Sequence, residues 1–88
     1  MRPRIKRCLR FRPRVSYFKP RGIPMRHLEE VVLLADELEA VKLYDVDGLD
    51  QTQAASKMKI SQPTFARILD SSRKKISQAI IKGKAIRI

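Results

Sequence analysis

Hydrophobic residues recur every three to four positions along the middle of the chain, a spacing that predicts an amphipathic helix. The helical pattern begins at Asp36, and Leu34, Leu38, Val41 and Tyr44 or Asp45 follow one another at steps of three to four. Acidic residues cluster near its N-terminal end, where the helix dipole favours them. Gly48 is well placed to end the helix in a left-handed conformation.

Two further helices are predicted on either side of a tight turn. Asp50 can cap a short helix that ends near Lys57 or Met58, with Gln53 reaching back from the third helical position. A third helix starts at Ser61 or Gln62, its apolar stripe runs to about Ile81, and Gly83 ends it. It has about twenty residues and a length of about 30 Å. Its inward positions are Phe65, Ile68 or Leu69, Ser72, Ile76, and Ala79 or Ile80.

The two ends of the chain have a different pattern. Prolines and like charges disfavour a packed element over residues 1–14, which we interpret as a basic flexible arm. Residues 15–18 (Val-Ser-Tyr-Phe) and 85–88 (Ala-Ile-Arg-Ile) are typical of short strands, and they could pair as a two-stranded ribbon. Residues 28–34 fit either a buried strand or the start of a helix. We therefore predict a mainly α domain over residues 15–88.

The second and third helices satisfy the steric demands of a helix-turn-helix over residues 51–69. That motif needs a small residue where the helices cross, apolar residues around the turn and an apolar inner face on the second helix. The turn position that often holds glycine, because the backbone there can take positive φ, is occupied by Lys59. Either the turn is of a type that tolerates a side chain, or Lys59 accepts a little strain. The matching positions are Ala55, Met58, Ile60, Phe65 and Ile68.

Charge is segregated along the 88 residues, whose formal net charge is +11. Residues 1–26 hold ten bases and no acid, residues 27–60 hold eight acids, and residues 61–88 hold seven bases and one acid. The acids from Asp36 to Asp50 are interpreted as helix-end and solvated residues. Two cationic ends favour a polyanionic partner, with salt-dependent binding.

The predicted partner is double-stranded DNA, with sequence-specific binding and a role in transcription regulation. Glutamine and arginine can read adenine and guanine in the major groove, whereas hydroxyl groups and bases can hold phosphates. The predicted base contacts are Ser61, Gln62, Thr64 and Arg67. The predicted phosphate contacts are Thr52, Gln53, Lys59, Arg73, Lys74, Lys75, Arg4, Arg7, Arg10 and Arg12.

Residues 48–65 resemble the helix-turn-helix of region four of bacterial sigma factors. The chain as a whole resembles a family of small prokaryotic proteins predicted to bind DNA, through residues 15–20, 22–24, 28–33, 36–40 and 83–88. This resemblance implies a sigma-region-four-like DNA-binding domain and no enzyme activity. The chain departs from that family at Leu34, where a threonine that can cap the first helix is usual.

Other classes of function are less favoured by the residues. No phosphate-binding glycine loop or catalytic acid–base pair is evident, and one cysteine with one histidine cannot form a metal site, so neither an enzyme nor a cofactor is expected. The chain has no long apolar run, which predicts a cytoplasmic protein without a membrane partner. Two alternatives stay open: an RNA-binding or ribosome-associated protein with stacking Tyr17 and Phe18, and a helical module that forms a homodimer.

Overall fold

The computed structural model describes residues 16–88, a mainly helical fold with a small three-stranded sheet. The strands are β1 (Tyr17–Phe18), β2 (Glu30–Val32) and β3 (Ala85–Arg87), and the helices are α1 (Ala35–Val41), α2 (Gln51–Met58) and α3 (Gln62–Lys82). A short 3-10 turn covers Met25–His27, and Lys42–Val46 continues α1 as a π-helical turn. The predicted arm lies outside the described residues.

The sheet joins the two ends of the described chain. β3 lies in the centre, antiparallel to β1 and parallel to β2. Phe18 pairs with Ile86, which confirms the predicted ribbon over the part of it that the structure describes. The ambiguous segment before α1 is a strand, and Val31 pairs with the same Ile86 from the other side. A ribbon of two short strands is marginal alone, and the third strand and α3 supply its support.

Helix α1 begins without the threonine cap that the resembling family usually has. Leu34 occupies the N-cap position, and its side chain offers no acceptor. The Glu37 carboxylate instead accepts a hydrogen bond from the Leu34 amide at 2.9 Å. At the other end the amide of Asp47 donates to the carbonyl of Lys42 at 2.8 Å, the wider spacing of a π-helical turn. Gly48, at φ 79°, ends the segment as predicted.

Helices α2 and α3 begin and end close to the predicted residues. The Gln53 amide donates to Asp50 Oδ1 at 2.8 Å, and Gln53 Oε1 accepts from the Asp50 amide at 3.1 Å, so the predicted capping box forms. Ser61 caps α3 with Pro63 in its first turn. Gly83 ends α3 in the left-handed conformation at φ 67°.

The core lies where α1, α2 and α3 meet. Ala55, Met58 and Phe65 are buried there as predicted, whereas Ile60 and Ile68 are half-buried at its edge. Tyr44 packs on the same cluster, with its ring centroid 6.4 Å from that of Phe65.

The prediction that the acids of this region are solvated is wrong for the first three of them. Asp36, Glu37 and Glu39 are buried, with exposed fractions of 3%, 5% and 5%. They lie on α1, which packs along α3, so the helix has little surface left to present to solvent. The later acids, Asp45, Asp47 and Asp50, are exposed.

Candidate functional site

The connection between α2 and α3 is three residues long and turns on Lys59. Its backbone lies at φ 59° and ψ 43°, and it is the one non-glycine residue with positive φ among residues 16–88. The amides of Lys59 and Ile60 donate to the carbonyls of Ser56 and Ala55, each at 3.1 Å, which closes the end of α2. The turn therefore holds a left-handed residue with its side chain exposed to solvent.

The first turn of α3 carries a group of hydroxyl and amide side chains. Ser61 Oγ accepts from the Thr64 amide at 3.3 Å and donates to Thr64 Oγ1 at 2.9 Å. Thr52 Oγ1 on α2 donates to Gln62 Oε1 at 3.4 Å, so the two helix starts lie side by side. Gln62 is exposed and keeps its amide group accessible, whereas Thr64 is half-buried and its hydroxyl is engaged by Ser61.

Arg67 lies on the exposed side of α3. Residues at spacings of three and four share a helix face, so Pro63, Arg67, Asp70 and Lys74 form one stripe opposite the buried Phe65. The side chain of Arg67 makes no hydrogen bond or ion pair within residues 16–88. Lys74 pairs with Asp70 at 3.3 Å, but both side chains are more than 65% exposed, a geometry in which ion pairs are weak.

Arg73, also on α3, is held by residues of the π-helical turn Lys42–Val46. Arg73 Nε lies 3.2 Å from Asp45 Oδ2, its Nη2 bonds the other carboxylate oxygen, and its guanidinium stacks 5.2 Å from the centre of the Tyr44 ring. The hydrogen bonds that Arg73 donates to Asp45 raise the pKa of Arg73 above its ordinary value. Arg73 is therefore held against the π-helical turn, and a phosphate would have to compete with Asp45.

Lys75 belongs to a polar network between α1 and α3. Its ammonium group donates to Glu37 Oε1 and to the Val32 carbonyl, both at 2.8 Å. Ser71 Oγ donates to Glu37 Oε2 at 2.5 Å, and Ser72 Oγ donates to the Glu37 carbonyl at 2.8 Å. Lys75 is 32% exposed and already holds two partners, so the structure does not leave it free to bind a phosphate.

The carboxyl group of Glu37 is charged because of this network. Its burial works to raise its pKa, but hydrogen bonds from Lys75, Ser71 and the Leu34 amide outweigh that effect and lower the pKa below its ordinary value of 4.5. A charged carboxylate and a charged amine in contact fix α1 against α3.

The structure thus brings only part of the predicted site together. Thr52, Lys59, Ser61, Gln62 and Thr64 lie around the turn, with Arg67 along the adjoining face of α3. Gln53 is engaged in the capping box. The predicted contacts Arg4, Arg7, Arg10 and Arg12 lie outside the described residues. No group of three or more potential metal-ligating side chains occurs within residues 16–88, and no helix there is long and apolar enough to cross a membrane.

Sequence reasoning missed the partners of Arg73 and Lys75 because they lie 28 and 38 residues away along the chain. One signal was present: Ser72 interrupts the apolar stripe of α3, and a buried hydroxyl requires a partner. That partner is the carbonyl of Glu37.

The profile described as "Protein of unknown function DUF134" matches residues 1–88, so the chain belongs to this family. A UPF0251 protein of Moorella thermoacetica is 53% identical over 87 residues, which cover 99% of this chain and 58% of that relative. A UPF0251 protein of Caldanaerobacter subterraneus is also 53% identical, over 74% of its length. The chain therefore spans between about three fifths and three quarters of the length of these relatives. No solved structure gives a significant match.

Proposed function

We propose that this member of the DUF134 family binds duplex DNA, with α2 and α3 acting as a helix-turn-helix. One observation carries the proposal: a short connection through left-handed Lys59 joins α2 to α3, and the exposed start of α3 carries Gln62 and Arg67. Ala55 is only 3% exposed, as the small residue at the crossing of such a motif must be. The resemblance to region four of sigma factors agrees with this reading.

Base reading falls to the first two turns of α3. The N-terminal residues of a recognition helix approach base edges in the major groove. Arg67 can form two hydrogen bonds with a guanine, and the accessible amide of Gln62 can pair with an adenine. They are five residues apart, about 7.5 Å along the helix axis, so the two side chains would contact different base pairs. Ser61 caps the start of α3 by accepting from the Thr64 amide, and it also donates to the Thr64 hydroxyl.

Fewer bases of α3 are free to contact a phosphate than the sequence predicts. Lys59 is exposed in the turn, and Lys74 has only a weak exposed pair to give up. Arg73 and Lys75 hold α3 against the preceding segment. The affinity therefore depends more on the cationic residues 1–14, which hold seven of the chain's 20 bases.

The test is a titration of a fluorescent duplex over a series of salt concentrations. Each phosphate contact should contribute about −0.9 to the slope of log affinity against log salt, so several contacts give a steep line. At low salt, Arg67→Ala should weaken binding to a preferred duplex, whereas Lys82→Ala removes the same charge at the far end of α3 and should not.

Two results would contradict the proposal. Absence of binding at low salt would reject a DNA-binding role. Stronger binding to structured RNA than to duplex DNA in competition would instead favour the RNA alternative, for which Tyr17 and Phe18 offer rings that are 44% and 55% exposed.

A further inference from the structure

An apolar groove lies between β1 and the C-terminal end of α3, at the other end of that helix from Arg67. Phe18, Ile80 and Ile86 line it together with Pro20, Ala79 and the backbone of Gly83. Its volume is about 370 Å³, enough to receive one or two large side chains. The groove is built from three elements: β1 and β3 are paired in the sheet, and α3 contacts β3.

The side chains at this groove are unusually exposed for their type. Phe18 is 55% exposed and Ile80 is 70% exposed, and the adjoining Ile81 is 81% exposed. Clustered large apolar side chains in water mark an interaction surface more often than scattered ones do. Ile80 continues the inward-facing spacing of α3, but the core ends before it, so its apolar surface extends beyond what this small fold covers.

The rim of the groove is cationic. Lys19 and Lys84 line it, Lys82 follows Ile81, and no acid is among the lining residues of the described chain. The Lys19 ammonium also donates to the carbonyls of Ile23 at 2.7 Å and Pro20 at 3.3 Å, but these contacts leave its charge unpaired within residues 16–88. Lys84 is paired with Glu29 at 3.3 Å, but that carboxylate is 81% exposed and can yield to another. The surface therefore combines apolar side chains with positive charge.

We propose that this groove binds a segment of a partner protein that carries large apolar side chains next to carboxylates. The positive charge of the rim favours this occupant over residues 1–14 of the same chain and over a second copy of the chain. Residues 1–14 hold seven bases and no acid, and a second copy packed symmetrically would bring the same lysines together. The site is concave, so inserted side chains of a peptide fit it better than the flat surface of an anionic membrane does.

The groove can be occupied while α3 contacts DNA. Fourteen residues separate Arg67 from Ile81, about 21 Å along the helix axis. A bound segment would therefore sit clear of the proposed DNA-facing turn. The inference does not depend on DNA binding, because the groove and its charge are present in the protein alone.

In the experiment, peptides are selected from a random displayed library with the full chain as bait. The affinity of the selected peptides is then measured by fluorescence anisotropy. Selected peptides should be enriched in large apolar residues with Asp or Glu nearby. Ile80→Ser and Phe18→Ser should each weaken their binding by about tenfold or more, because each removes apolar surface that the peptide buries. Val46→Ser is the matched control, since Val46 is 75% exposed but lies away from the groove.

Four outcomes would overturn the proposal. They are recovery of no binding peptide, selection of uncharged or basic peptides, equal loss with Val46→Ser, and tighter binding to vesicles of phosphatidylglycerol and phosphatidylcholine than to any selected peptide. Sedimentation adds a fifth: a dimer of the free chain that Ile80→Ser dissociates would show that a second copy fills the groove. The circular dichroism spectra of the Ile80→Ser and Phe18→Ser variants should match that of the wild type, which would show that a loss of binding is not caused by unfolding.

Discussion

Replacing Lys59 with glycine should stabilise the fold and weaken DNA binding at the same time. A side chain in the left-handed region costs about 1–2 kcal/mol, and Lys59 lies there at φ 59°. Glycine removes that cost but loses about 0.5–1 kcal/mol through the greater freedom of its unfolded chain. The net gain is about 0.5–1 kcal/mol, which raises the Tm of a domain of this size by about 4 °C.

The matched variant is Lys59→Ala, which removes the same amine but keeps a Cβ. Thermal unfolding should therefore separate the two variants, with glycine the more stable. Their effect on DNA binding should be the same, a salt slope about 0.9 shallower, because both lose one phosphate contact. If the glycine variant is no more stable than the alanine variant, the left-handed conformation of Lys59 is not strained. If neither variant changes the salt slope, Lys59 does not contact a phosphate.

Three further substitutions test the packing that supports the site. Glu37→Gln should destabilise the fold by about 2 kcal/mol, measured by urea unfolding, because it leaves the half-buried ammonium of Lys75 without its countercharge. Since the folded pKa of Glu37 lies below 4.5, its contribution is present above that pH and lost as pH falls through the folded pKa, and the variant should lack this acid loss. Ala55→Leu should cost about 1–3 kcal/mol by overpacking the α2–α3 contact, whereas Ser56→Leu on the exposed side should cost little. Ser61→Ala should cost about 1 kcal/mol by removing the cap of α3, and a variant as stable as the wild type in thermal unfolding would contradict that role.

Local signals predict the helices of this fold well. Asp50, Ser61 and Gly83 act within a turn or two of their own position, and each does what its chemistry indicates. The sequence left two alternatives open for the turn at Lys59, and its φ of 59° corresponds to the one in which the lysine accepts some strain. These features depend on neighbours within a few residues, which the sequence displays directly.

Contacts between distant segments are where sequence reasoning fails. The strand at Val31 could not be told from a helix start, because its partner Ile86 lies at the other end of the chain. For the same reason the sequence does not reveal that Glu37 is buried and that Lys75 is bound to it. The number of free bases predicted on α3 is therefore too high. An apolar stripe was visible up to Ile80, but only the packing shows that the core stops short of it.

The central claim is that the exposed start of α3 reads bases, and selection of duplexes from a random pool tests it most directly. The wild-type chain should enrich one motif, and Lys82→Ala, a charge control at the far end of α3, should enrich the same one. Arg67→Ala should still bind but lose its preference at one position, a discrimination of about 1–3 kcal/mol. If the wild type enriches no motif, or Arg67→Ala enriches the same motif with the same affinity, then α3 does not read DNA as we propose.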